Sequence, residues 1–227
     1  MAKHSLAVEE ELRSAYEGVL KQGESVPPHK YSAVEQQARY FLNQVYSARS
    51  AQIGNHLDIG SGAMGLAVAS RSAGFSPFAV DADFSFPEYR TIADRLQIPH
   101  LLFNVPKSGE FLTPKQLRDA DFPDKFSLIT VLSTELDRHG DHIWGPGTWA
   151  IFLGFVEDLL TDDGLLLLKV NRHSNFASPH RSPDHYDTRV WRILQSGQQG
   201  NFRHRTVGLK RKSFARVIAD LEALGAS

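Results

Sequence analysis

The sequence predicts an α/β fold built on a doubly wound, mostly parallel sheet, and three observations carry that expectation. Short apolar segments at 55–59, 77–81, 100–104, 126–132 and 164–170 alternate with stretches of helical period. Two of them, around Phe126–Leu132 and Leu165–Leu168, are almost continuously apolar, as strands covered by helices on both faces must be. The first segment runs directly into Gly60-x-Gly62-x-x-Gly65, a turn that feeds a strand into a helix. Right-handed crossovers then leave few topologies.

The elements follow in order. Residues 5–21 and 31–50 have helical spacing, the second with Val34, Ala38, Phe41, Leu42 and Val45 on one stripe. Gly23 to His29 holds two prolines and separates them as a loop. After strand 55–59, a helix over 63–73 should stop at Gly74, the residue type that caps a helix C-terminus in the left-handed conformation. Strand 77–81 precedes helix 88–96, and strand 100–104 precedes a short helix over 115–118 with Thr113 as N-cap. Strand 126–132 leads to an amphipathic helix over 147–160 carrying Trp149, Phe152, Leu153, Val156 and Leu160, then strand 164–170. Residues 172–186 lack a period and read as loop. Thr188–Ser196 reads as helix, 202–209 alternates as a strand does, and 213–224 is a helix with Ser213 at its N-cap.

Composition narrows the function classes. A chain of 227 residues with 41% hydrophobic and 22% charged residues is an ordinary globular protein. The absence of cysteine excludes disulfides and thiolate metal sites and fits a reducing compartment. Met1 to Tyr16 lacks the apolar core of a secretory leader, and no apolar run is long enough to span a bilayer. A cytoplasmic location is therefore expected, with no membrane partner. The formal net charge of −1 gives no general attraction to nucleic acid. Charge is uneven, however: residues 172–212 carry a net +7 and the remainder −8. Such a segment can steer an anionic ligand, or it is simply a solvated face.

Four features should meet at the carboxyl edge of the sheet, where open α/β folds bind ligands. They are the turn Gly60-Ser61-Gly62, Asp81 at the end of the second strand, Asn104 at the end of the third, and Ser133-Thr134 after the fourth. Asp81 lies 21 residues beyond Gly60, near the offset of about 20 at which a carboxylate meets ribose hydroxyls. Each residue also has a plainer reading: Asp58 as a turn cap, Asp81 as a solvated strand end with Asp83 competing for its role, Asn104 as a turn former.

Asp58-Ile59-Gly60-Ser61-Gly62, the strand Phe126-Ser127-Leu128-Ile129-Thr130-Val131-Leu132-Ser133, and the segment from Phe155 through Asp162-Asp163-Gly164 to Leu168 resemble the class I S-adenosylmethionine-dependent methyltransferases. The resemblance covers residues 50–171. It implies a Rossmann-like methyltransferase fold, with residues 1–50 as a helical cap and 51–227 as the S-adenosylmethionine-binding domain. It also implies that Asp58, Gly60, Ser61 and Gly62 hold the methionine end and that Asp81 accepts from the ribose hydroxyls. Ala82 would pack on adenine, Asn104 would accept from its amino group, and Ser133 would face the methionine moiety. Two departures stand out. Met64 occupies the place of the usual third glycine, with Gly65 one later. The antiparallel strands that usually close such a sheet are reduced, displaced into 202–209, or missing, which gives an atypical C-terminal end.

The expected acceptor is a small molecule, possibly anionic, methylated at oxygen. Ser133 to His142 carries no Asn-Pro-Pro-Tyr, the resemblance's mark of amide or base-amino acceptors, and is instead rich in groups that can take a proton. His139 and His142 are candidate general bases, and Asp137 or Glu135 is a candidate to orient one of them. The alternative is a polar loop around Gly140 and Gly145. Tyr31, Trp144, Trp149, Asn171, Arg172 and His173 are candidates to line the acceptor pocket, although Trp149 has core spacing. Neither His139/Asp141/His142 nor His173/His180/His185 shows a metal-site spacing, so no metal is expected.

Two rivals remain. An NAD-dependent oxidoreductase would use the same glycines and Asp81, and Gly65 suits it, but Asp58 would face a pyrophosphate and no Tyr-x-x-x-Lys pair is present. An RNA- or protein-directed methyltransferase, or a non-catalytic binding module, would draw on Phe202-Arg203-His204-Arg205 and Lys210-Arg211-Lys212. That stretch is short and the whole chain is not basic, which disfavours nucleic acid.

Overall fold

The computed structural model describes residues 10–17, 19, 53–62, 64–82, 87–132, 138–139, 142–169, 186–198 and 206–226. The backbone of the first strand, β1 (Asn55–Ile59), is flanked by β2 (Ser76–Asp81) and β4 (Phe126–Val131), both parallel to it. β3 (His100–Leu102) adds outside β2, and β7 (Leu160–Lys169) outside β4. β8 (Thr206–Lys210) then pairs antiparallel with β7, giving the order β3-β2-β1-β4-β7-β8. The direction of winding reverses between β1 and β4, which places the switch point beside the glycine turn. Two short strands, β5 (Arg138–His139) and β6 (His142–Ile143), form a separate antiparallel pair.

Helices cover both faces because side chains alternate along each buried strand. Helices α1 (Gly65–Ser72) and α2 (Pro87–Arg95) pack over Ala79, Leu128, Leu165 and Leu167. The N-terminal helical residues Leu12, Ala15, Tyr16 and Val19 join the same cluster, and Arg95 donates to the carbonyls of Ala15 (3.0 Å) and Glu17 (2.6 Å). On the opposite face, α3 (Pro114–Asp119), α4 (Pro146–Leu159), α5 (Tyr186–Ser196) and α6 (Phe214–Gly225) bury Leu57, Ile59, Ile129, Val131, Leu166 and Leu168.

Most expected elements are present with small shifts. Gly74 sits at φ 94 just past α1, the left-handed position that stops the helix. Thr113 caps α3: Gln116 N–H donates to Thr113 Oγ1 (3.3 Å), and Thr113 N–H donates to Gln116 Oε1 (2.9 Å). The antiparallel strand expected within 202–209 is β8, from Thr206 to Lys210.

Several boundaries differ. The third strand stops at Leu102 rather than Asn104. The fifth expected strand begins at Leu160, because residues between the partners of Phe126 and Leu128 form an irregularity in β7 instead of a separate turn. Gly164 permits that fold-back, since a Cβ there would lie 2.8 Å from the Thr161 carbonyl. Ser213 does not cap α6: its hydroxyl donates to the Lys210 carbonyl (2.7 Å) within a 3₁₀ turn over Arg211–Ser213. The expected helix 31–50 lies outside the described residues, as does the expected loop 172–186 except Tyr186, which opens α5.

Candidate functional site: the turn after the first strand

Gly60 (φ 75) and Gly62 (φ 48) hold left-handed backbone, so both positions favour glycine. Met64 adopts φ 67 as well, as the N-cap of α1, and is fully buried. A methionine thus takes the conformation that glycine adopts without strain, at a cost of about 1–2 kcal/mol, offset by burial of its side chain. A Cβ on Gly62 would meet nothing within 4 Å. The turn therefore presents bare backbone to open space, as close approach of a ligand requires.

The turn is tied to the next strand. Gly60 N–H donates to the Val80 carbonyl (2.8 Å), and Gly62 N–H donates to Asp81 Oδ2 (2.5 Å). Concave runs of backbone N–H groups ordinarily attract an external anion such as phosphate. Here the Gly62 donor is already engaged by a carboxylate of the chain itself. Asp81 is held at the sheet edge and is buried apart from a small exposed fraction of 8%.

Asp58, fully buried on β1, stands beside Thr130 of β4 in the strand register. Thr130 Oγ1 lies 2.6 Å from Asp58 Oδ1, while Asp58 Oδ2 and the buried Ser61 Oγ have no hydrogen-bond partner. Burial pushes the Asp58 carboxyl up to about 7; the Thr130 hydrogen bond pulls the other way and the charge of Asp81 adds to the rise. Two unpartnered buried oxygens, one on β1 and one within the turn, are incomplete without a donor, since orphaned buried polar groups are costly. A cationic or hydrogen-bond-donating ligand fits this pair of acceptor oxygens. An added pyrophosphate would face two carboxylates.

Behind Asp58 lies a polar cluster that motif reading did not single out. His56, two residues earlier on the same face of β1, is fully buried. Its Nε2 is 2.8 Å from Thr130 Oγ1 and its Nδ1 is 2.7 Å from Ser70 Oγ on α1. Ser70 Oγ is also 2.9 Å from the Ala67 carbonyl. Burial lowers the His56 pKa to about 3, so the ring is neutral. The available signal was His56-x-Asp58 in an otherwise apolar strand, which puts two polar groups on one covered face.

The remaining expected residues are less uniformly gathered. Ala82 directly follows β2 and is half-buried, and Asn104 is exposed two residues beyond β3. The backbones of His139 and His142 are directly paired in β5 and β6. Ser133 and Asp137 lie outside the described residues, as do Tyr31, Asn171, Arg172 and His173. Trp144 and Trp149 are not pocket residues. Both are buried in the core with Phe152, their rings 5.2 Å apart at 80°.

The strand order and the turn define a Rossmann-like α/β domain with the glycine turn at its switch point. In fold the chain is similar to solved structures of methyltransferases. The sugar N-methyltransferase KedS8 from Streptoalloteichus sp. matches with a TM-score of 0.45 and 14% identity, over 67% of this chain and 57% of that one. CalS10, an amino pentose methyltransferase from Micromonospora echinaspora solved with S-adenosylmethionine bound, matches with a TM-score of 0.43 and 16% identity, over 68% and 61%. The glycopeptide N-methyltransferase MtfA matches with a TM-score of 0.41 and 14% identity, over 63% and 56%. Each match takes in less than two thirds of the other chain, and the likeness is one of fold alone. No protein-family profile and no curated protein matches the sequence. Among the described residues, no helix is long and apolar enough to cross a membrane.

Proposed function

We propose that the chain is an S-adenosylmethionine-dependent methyltransferase of a small molecule, with oxygen as the acceptor atom. One observation supports this above the others: the glycine turn's donor is bound by Asp81, beside a buried Asp58 with an unpartnered oxygen. A site with two carboxylates at the switch point suits a cationic donor better than a dinucleotide. The bound sulfonium supplies an electrophilic methyl group. Asp81, oriented by Gly62 N–H, accepts from the ribose hydroxyls, while Asp58 and Ser61 receive the ammonium end. Ala82 would pack on the adenine, Asn104 would accept from its amino group, and Ser133 would serve the methionine moiety. His139 or His142, oriented by Asp137, removes the acceptor's proton, and the chain's main task is alignment. A chain without cysteine fits work in the cytoplasm.

Calorimetric titration with S-adenosylhomocysteine and with NADH tests the cofactor assignment. The expected result is binding of the first, no saturable binding of the second, and at least about a hundredfold loss of affinity in Asp81→Ala, the equivalent of two charge-assisted hydrogen bonds. Unchanged affinity in that variant overturns the assignment. Labelled S-adenosylmethionine mixed with fractionated cell extract tests the acceptor class. Label should enter the small-molecule fraction, and label confined to RNA or protein would reject that acceptor class.

A further inference from the structure

The four polar groups behind the turn form a chain: Asp58 Oδ1, Thr130 Oγ1 at 2.6 Å, His56 Nε2 at 2.8 Å, and His56 Nδ1 to Ser70 Oγ at 2.7 Å, ending 2.9 Å from the Ala67 carbonyl. Each hydroxyl has one proton to donate, and a neutral imidazole carries one N–H. These limits leave two self-consistent arrangements. With Asp58 ionised, Thr130 donates to Oδ1, so His56 must donate from Nε2 to Thr130 and accept at Nδ1 from Ser70. With Asp58 protonated on Oδ1, Asp58 donates to Thr130, Thr130 donates to Nε2, and His56 donates from Nδ1 to Ser70. Ser70 then donates to the Ala67 carbonyl. A proton on Oδ2 would have no acceptor, which leaves Oδ1 as its place.

We propose that Thr130, His56 and Ser70 are positioning residues that link cation binding at the glycine turn to release of the Asp58 proton, reversing the three hydrogen bonds between Asp58 and Ser70, turning the Ser70 proton from the Ala67 carbonyl to His56 Nδ1, and switching His56 from its Nδ1–H to its Nε2–H tautomer. The proton leaves to solvent, and His56 stays neutral throughout. Complete burial favours a neutral imidazole in both states. The ionisable groups set around Asp58 among the described residues are His56 on the same strand and Asp81 on β2; Thr130 on β4 and Ser70 on α1 are polar but do not titrate in this range. Asp81 opposes ionisation of Asp58. A cation between the two carboxylates reverses that balance and draws the proton off. α1 begins directly after the turn and carries Ser70, so the same event reaches the helix that supports the ligand loop.

This inference rests on the proposed cofactor reading for the identity of the cation, but its first test needs no ligand. Protein labelled with ¹⁵N at histidine, free of ligand, should show a neutral His56 with Nδ1–H at pH 5 and with Nε2–H at pH 8.5. One tautomer at both pH values, or a charged ring at pH 5, overturns the proposal. Thr130→Val should abolish the tautomer switch while Asp58 still titrates; a switch that persists also overturns it. Calorimetric titration of S-adenosylhomocysteine at pH 6, in two buffers of unlike ionisation heat, should then show release of about one proton per ligand bound. Binding without proton release refutes the coupling. Failure to bind at all refutes the cofactor reading and with it the coupling to that ligand, while the tautomer result stands on its own.

Discussion

Replacing Asp58 by Asn should stabilise the ligand-free protein, and by an amount that grows with pH. The carboxyl titrates near 7 when folded, against an ordinary value of 3.8. Between those values the folded state keeps a proton that the unfolded state has lost, so stability falls as pH rises, by about 1.4 kcal/mol per pH unit. The accumulated cost above pH 7 is about 4 kcal/mol. His56 behaves oppositely. Held neutral down to about 3 against an ordinary 6.5, it destabilises the fold as pH falls below 6.5. From about pH 4 to 6.5 the two slopes cancel, because the folded state holds a proton on Asp58 where the unfolded state holds one on His56. Asp58→Asn removes only one side of that balance. Urea melts of parent and variant at pH 5 and pH 8 should therefore differ by about 3 kcal/mol more at the higher pH. For a chain of this length that corresponds to roughly 5–10 °C in Tm. A stability difference independent of pH, or larger at pH 5, would refute the reasoning that Asp58 is a carboxyl held against its ionisation by burial.

Other outcomes follow from the same geometry and the proposed chemistry. His139→Ala or His142→Ala, whichever removes the general base, should lower turnover by about 10²–10⁴ and leave S-adenosylhomocysteine affinity unchanged; a parallel loss of affinity would assign the residue to cofactor binding. Gly197→Ala should cost about 1–3 kcal/mol, since a Cβ there would fall inside contact distance of Val217 Cγ2 and 3.0 Å from Leu209 Cδ2. Thermal melts that show no loss would mean that α6 yields at this contact. Thr113→Ala should cost about 1 kcal/mol by removing the Oγ1 that accepts from Gln116 N–H, while the backbone N–H at 113 keeps its bond to Gln116 Oε1, and hydrogen exchange at Gln116 N–H should rise with it.

The residues that stand at strand ends were legible from spacing, whereas those that act across strands were not. Gly60, Gly62 and Asp81 follow from one local rule: a parallel strand must turn at its carboxyl end, and the next strand ends about 20 residues later. The pair formed by Gly62 N–H and Asp81 Oδ2 is the physical form of that spacing. The partnership of Asp58 with Thr130 needs more, because it depends on β4 lying directly beside β1 in a definite register, 72 residues away in sequence. Strand order is a property of the whole sheet. Until it is known, Thr130 is only a polar residue in a strand that is apolar almost throughout.

That residue type is itself informative once the neighbours are placed. A threonine at the centre of a fully buried parallel strand needs a partner for its hydroxyl, and here it has two, Asp58 and His56, both on β1. The carboxylate alone would make the site an electrostatic liability in the absence of ligand. The hydroxyl and imidazole behind it make either protonation state of Asp58 compatible with an unbroken line of hydrogen bonds from β4 through β1 to α1. His56 also has a reason to be histidine: among side chains of its shape, only an imidazole can exchange donor and acceptor roles at two atoms without changing charge. Under the proposed coupling, Asp58 thus stays buried and neutral without a ligand and becomes anionic when a cation binds, with the structural adjustment confined to hydrogen positions.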